Sequence, residues 1–181
     1  MKPNTLQSMM KIALVASLIS ALGYVSIPLP ISPVPITGQT LAILLAGFLL
    51  TPPQAGGAVG LWLAMGTIGL PVFSGGRAGF GTLIGPSGGY FIGFLVCALF
   101  IAYFKGKKFN LIRYSLVGLV GSFLIIYSFG VAGLMVIAQL SFDKALAGGV
   151  LPFLIGDFLK LIIAISLTAQ LKRSAPKLFQ N

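Results

Sequence analysis

IALVASLISALGYVSIPLPISPVPITGQTLAILLAGFLLTPPQAGGAVGLWLAMGTIGLPVFSGG, residues Ile12 to Gly76, contains no charged side chain. Two more charge-free runs lie beyond it, Ala78 to Phe104 and Tyr114 to Phe142. Over all 181 residues, 57% are hydrophobic and 8% charged, against roughly 25% charged in a soluble domain. A soluble protein of this size could not cover its surface with so few charges. A bilayer core is ~30 Å thick and takes ~20 apolar residues per helix. The reading is an all-α integral membrane bundle, a single transmembrane domain over residues 1–181.

Prolines and glycines punctuate the apolar runs and predict six transmembrane helices, roughly 10–27, 36–50, 55–70, 89–104, 111–130 and 151–171. A proline-rich connection, Pro28 to Pro35, joins the first two. Thr51-Pro52-Pro53-Gln54 reads as a short turn, since paired prolines cannot continue a helix. Residues Val131 to Leu140 either prolong the fifth helix or form a short piece of their own. Lys2 and Lys11 precede an apolar stretch longer than a signal-peptide core, so a retained first helix is expected. Cys97, the one cysteine, falls mid-span and reads as inert core.

Cytoplasmic loops are enriched in Lys and Arg. With six spans and both termini cytoplasmic, Lys2, Lys11, Lys105, Lys107, Lys108, Arg113, Lys172, Arg173 and Lys177 fall inside. Only Arg77 and Lys144 then lie in outer loops, so the net charge of +10 follows from topology in the cell membrane. A nucleic-acid footprint would need a basic face with groove-reading or stacking elements, and none is expected.

Both unusual connections then fall outside: Pro28 to Pro35, and the glycine-rich Pro71 to Gly88. Irregular backbone at membrane depth is tolerated where protein buries it or it lines a cavity. Phe73 and Phe80 are expected to anchor the second segment as a lid, the alternative being a flexible surface loop. Gly79-Phe80-Gly81 lacks the third glycine of a dinucleotide fingerprint, and no Gly-Lys-Ser/Thr phosphate loop occurs. The chain is therefore expected not to hydrolyse ATP itself.

Asp157 and Lys160 are the charges that the positive-inside pattern does not place. With Pro152 in the first helical turn, Asp157 sits roughly 8 Å below the outer end and Lys160 ~4.5 Å deeper. Their i, i+3 spacing puts both on one helix face, which must look inward, since each charge facing lipid costs ~3 kcal/mol or more. Three readings compete: a structural ion pair, a proton or ion relay, and a substrate site. Relays use several Asp, Glu or His, and this chain has two acids and no His. The same scarcity argues against a membrane enzyme. The substrate site is favoured, with Thr37, Gln39, Thr40, Arg77 and Tyr90 as possible partners and Trp62 as packing. Ala13, Ser17 and Ala21 on the first helix, and Gly56, Gly60 and Ala64 on the third, have the small-residue spacing that lets another helix approach. Internal packing and a partner protein both remain open for the first stripe.

Val34-Pro35-Ile36-Thr37-Gly38-Gln39, Gly69-Leu70-Pro71-Val72-Phe73 with Gly75-Gly76, Gly85-Pro86-Ser87-Gly88-Gly89-Tyr90, and Leu151-Pro152-Phe153 with Gly156-Asp157-Phe158-Leu159-Lys160 resemble the BioY family. These are the biotin-specific substrate-capture (S) components of energy-coupling factor transporters, an ABC transporter class. The resemblance covers nearly the whole chain in order; Ser87 stands where threonine is expected. It implies a six-helix S-component fold that binds biotin from outside; no cofactor or metal is expected. It also implies docking with a membrane coupling subunit and two cytosolic ATPases. Asp157 and Lys160 would contact the ligand, and Ala13, Ser17 and Ala21 would form the docking face. Biotin's ureido ring has two N–H donors and a carbonyl, which suit a carboxylate and an ammonium. Phe73, Phe158 and Tyr90 are expected as apolar walls, Gln39 and Gly85 as further contacts, and Arg77 as partner of the biotin carboxylate. Alternatives are an S component for another small vitamin and a proton-coupled carrier working alone.

Overall fold

The structure, a computed structural model, describes residues 5–174, so Lys2 and Lys177 lie outside the described residues. The chain is mostly helical. Helix α1 (Thr5–Tyr24) leads into a hairpin of β1 (Ser26–Leu29) and β2 (Ser32–Thr37), followed by α2 (Gln39–Leu49) and α3 (Pro52–Thr67). A long loop holds a 3-10 turn (Ser74–Gly76) and the short α4 (Phe80–Leu83) before α5 (Gly88–Phe104). Helix α6 (Leu111–Leu119) runs through a π-helical segment (Val120–Ile126) into α7 (Tyr127–Ile137); α8 (Phe142–Gly149) and α9 (Leu154–Ser174) complete the order. Three continuous helices, Thr5–Tyr24, Leu111–Ile137 and Leu154–Ser174, are long and apolar enough to cross a membrane, and Gln39–Leu49 and Gly88–Phe104 are shorter apolar helices.

Several expectations change. The connection Pro28 to Pro35 is not a plain loop but an antiparallel ribbon, with Ser26 opposite Thr37 and Ile27 opposite Ile36, so the fold is not purely helical. In a two-stranded ribbon every strand has an open edge, where a proline's missing N–H costs no ladder bond. Pro52 and Pro53 open α3 rather than separating two helices, because the first helical turn has no N–H partner to lose. Gln54 Oε1 accepts from the Thr51 N–H at 3.2 Å, and its amide donates to Ser8 Oγ on α1 at 2.9 Å. The stretch after Gly130 prolongs the fifth helix. Pro152 falls in a turn between α8 and α9, so Asp157 stands in the first turn of α9.

Beyond Gln39 and Thr40, helix α2 is apolar all round, and it is buried along nearly its whole length, the pattern of a central helix. It packs against α1, α5 and α9. Helices α5 and α7 touch backbone to backbone: a Cβ at Gly89 would lie 2.2 Å from the Phe129 carbonyl oxygen and 2.8 Å from Gly133 Cα. Small residues permit this approach. At the opposite end of the bundle from the hairpin, the fully buried Lys105 donates to Gly47 O at 2.9 Å and to Leu50 O. That ammonium caps the carbonyls left open where α2 ends and complements the helix dipole there.

Candidate ligand-binding site

Asp157 reaches its position because α9 begins only three residues earlier. The helix N-terminus favours negative charge, and the carboxylate is 4% exposed. Lys160, one turn on, donates to Asp157 Oδ1 at 2.8 Å, the one salt bridge among the described residues. Tyr127 donates its hydroxyl to Asp157 Oδ2 at 2.8 Å from across the bundle. It does so from the first residue after the π-helical segment. A π turn shifts the register of all residues beyond it, and such segments are frequent at functional sites. Each carboxylate oxygen retains a second lone pair and the ammonium two further protons, so the trio can still accept from and donate to a ligand.

The trio faces a cavity of about 30 Å³, whose polar lining includes Gln39, Thr40, Ser74 and Ser87 and whose apolar walls include Tyr90, Phe91, Phe94, Ile126 and Phe153. Such a volume holds little more than one or two waters. Beside it lies an open vestibule of about 430 Å³ under the hairpin, bordered by Tyr24, Ser26, Pro33 and Arg77. Pro35 and Ser74 line both spaces and form the partition between them. The vestibule alone falls within the 300–1,000 Å³ usual for small-molecule sites.

The glycine-rich segment is tied down. Trp62 Nε1 donates to Val72 O at 2.9 Å and Tyr24 Oη to Pro71 O at 2.6 Å. Ser74 Oγ donates to Gln39 Oε1 at 2.9 Å, while Arg77 reaches Ser74 O at 3.1 Å and Ser87 Oγ at 3.3 Å. Positive φ at Gly75 (68°) and Gly76 (75°) makes the reversal that brings Arg77 back over Ser74.

A family model described as the BioY family matches residues 1–177. This chain belongs to the BioY family. Among its relatives, Biotin transporter BioY of Rhizobium etli is 34% identical over 161 residues, covering 84% of this chain and 86% of that protein. Biotin transporter BioY of Thermotoga maritima is 33% identical over 168 residues, 93% of this chain and 97% of that one. A solved structure, the S-component for biotin from an ECF-type ABC transporter, superposes with TM-score 0.90 at 28% identity, covering 100% of this chain and 99% of that one.

In this BioY-family chain the expected site residues divide. Asp157, Lys160, Gln39 and Tyr90 line the inner cavity. Tyr90 is also tied by its hydroxyl to Gly149 O at 2.6 Å. Arg77 stands at the vestibule instead. Phe73 and Gly85, expected at the ligand, line neither space. Phe73 turns away into a cluster with Trp62 and Phe91, at centroid distances of 5.2 and 4.7 Å, because the bare Gly66 gives its ring a place to lie. Gly85 turns in the loop over Gly81 and Thr82. Phe80, expected as a second lid anchor, is 59% exposed, and Phe158, expected as a wall, is 50% exposed on the outer side of α9. Ala13, Ser17 and Ala21 all lie on the exposed side of α1, while Ala16 faces the core. Tyr127, Ser74 and Phe153 were not foreseen. A tyrosine in the middle of a charge-free span was the available signal for the first.

Proposed function

We propose that this protein captures biotin at the outer face of the cell membrane as the substrate-binding subunit of an energy-coupling factor transporter. The observation that carries the reading is the trio of Asp157, Lys160 and Tyr127 at the end of a narrow, aromatic-walled cavity, in a chain of the BioY family. The carboxylate accepts one ureido N–H group and the Lys160 ammonium donates to the adjacent ureido carbonyl. The fused rings lie against Tyr90, Phe91, Phe94 and Phe153, the alkyl tail passes the Pro35–Ser74 partition, and the carboxylate meets Arg77 in the vestibule. Entry then requires the hairpin to draw Pro35 away from Ser74 and the aromatic walls to spread, since the fused rings exceed the closed cavity.

The single transmembrane domain, residues 1–181, has six spans with both termini cytoplasmic and multi-pass insertion in the plasma membrane. In the described residues these spans are α1, α2, α3, α5, α6–α7 and α9. In this proposed topology the hairpin and vestibule lie outside and Lys105 to Arg113 inside, which the positive-inside rule favours. A membrane coupling subunit docks on Ala13, Ser17 and Ala21, and two cytosolic ATPases supply the energy, so the chain is a binding subunit and not an enzyme. The test is biotin accumulation by proteoliposomes holding this chain with or without its coupling subunit and ATPases. Accumulation that needs the partners and ATP supports the reading. Accumulation by this chain alone that collapses with an uncoupler would overturn it in favour of a secondary carrier.

A further inference from the structure

Away from the biotin cavity, at the basic end of the bundle, Gly106, Lys107, Lys108, Asn110, Ile112, Arg113, Leu116 and Val117 enclose a depression of about 530 Å³. From these residues we infer that it is a binding site for one anionic phospholipid, whose phosphodiester lies among Lys107, Lys108 and Arg113 and whose acyl chain lies on Ile112 and Leu116. The inference is independent of the vitamin and uses only the burial of the bundle in a bilayer.

The rim is built rather than diffuse. Arg113 Nε donates to Phe104 O at 2.6 Å, and its backbone N–H donates to the Asn110 side chain at 2.9 Å, which caps α6. The guanidinium is thereby held across the loop, next to Gly106, whose φ of 76° lets the chain turn beneath it. Its other nitrogens keep the forked geometry that suits phosphate oxygens. Lys107 and Lys108 are exposed and make no hydrogen bond or ion pair among the described residues. The two neighbouring lysines are already engaged, Lys105 by Gly47 and Leu50 and Lys172 by Tyr114. The chain has only two acids: Asp143 opens α8, beyond the far end of the α6–α7 helix, and Asp157 is paired with Lys160. Among the described residues, three cations therefore meet with no side-chain anion paired to them.

The floor of the depression selects a lipid over a soluble anion. Ile112 is 72% and Leu116 59% exposed, and their i, i+4 spacing makes one apolar strip running from the charged rim toward the middle of the bundle. Charge at one end and hydrocarbon at the other is the complement of a phospholipid at the membrane interface, where basic pockets between helices bind anionic head groups.

The test is titration of the full chain in neutral detergent with phosphatidylglycerol and with phosphatidylcholine, read by native mass spectrometry. One phosphatidylglycerol should bind in preference to phosphatidylcholine. K107Q/K108Q should bind it about 30-fold more weakly, roughly fivefold per charge. A charge-matched control, K11Q/R173Q, should stay within about threefold of the parent. Circular dichroism confirms that both variants fold. Equal weakening in the control pair would overturn the site in favour of a delocalised basic surface. Equal binding of phosphatidylcholine, or displacement of the lipid by millimolar inorganic phosphate, would overturn the anionic-lipid assignment. Unchanged binding by K107Q/K108Q would overturn the site as a whole.

Discussion

Asparagine at position 157 keeps the shape of the side chain and removes its charge. Both partners of Asp157 are donors at 2.8 Å, Lys160 to Oδ1 and Tyr127 to Oδ2. The amide oxygen can take the lysine, and the Tyr127 oxygen can turn to accept from the amide nitrogen, so the local geometry survives. The losses are the acceptor capacity offered to the ureido N–H group and the countercharge of Lys160. A hydrogen bond to a charged group contributes about 1.5–3 kcal/mol, so one such bond lost to the ligand weakens biotin binding by roughly 10- to 150-fold. Orphaning a buried charge also costs about 3–5 kcal/mol of stability. The Lys160 side chain is 15% exposed, which brings this cost below that range. The double variant D157N/K160M separates the two effects: with no orphaned ammonium, thermal stability returns toward the parent, while biotin binding stays at least as weak as in D157N. Isothermal titration with biotin and thermal unfolding of the same purified samples read both quantities. A double variant that binds biotin as tightly as the parent would refute the reasoning and leave the pair as a packing device.

Y127F removes a buried donor to Asp157 and should weaken biotin binding about tenfold with helicity unchanged; unchanged affinity would take Tyr127 out of the site. R77Q should lower affinity for biotin but not for biotinamide, whose tail is neutral, and equal losses for both would contradict a carboxylate contact. S17L adds bulk to the exposed face of α1 and should reduce co-purification with the coupling subunit by about tenfold while biotin binding is unchanged. Undiminished co-purification would mean that docking occurs elsewhere.

Periodicity and charge located the helices of this chain because lipid forbids charge wherever it touches. The same rule isolated Asp157 and Lys160, whose i, i+3 spacing is a local property that a sequence displays. The Tyr127–Asp157 contact joins residues 30 apart and depends on a π turn, which leaves no mark in an apolar run. Phe73 was misplaced because an aromatic residue in a loop can face a ligand or a glycine gap equally well, and the gap at Gly66 exists only in the packed helix pair. The hairpin was hidden by Pro28, Pro33 and Pro35, residues that read as strand breakers until both strands prove to be edges. Helix α8, with Asp143, Lys144 and two terminal glycines, carries too little apolar length to be read as an element.

The central claim is that the ureido ring of biotin is held by Asp157, Lys160 and Tyr127. It is tested most directly by titrating the purified chain with biotin and with its cyclic carbonate analogue, in which ring oxygens replace both ureido N–H groups, so that the ring shape and the carbonyl are kept and the donors are lost. One biotin should bind per chain, and the carbonate analogue should bind at least about tenfold more weakly, the loss of one charge-assisted hydrogen bond. Equal affinity for the two, or no binding of biotin, would contradict the account.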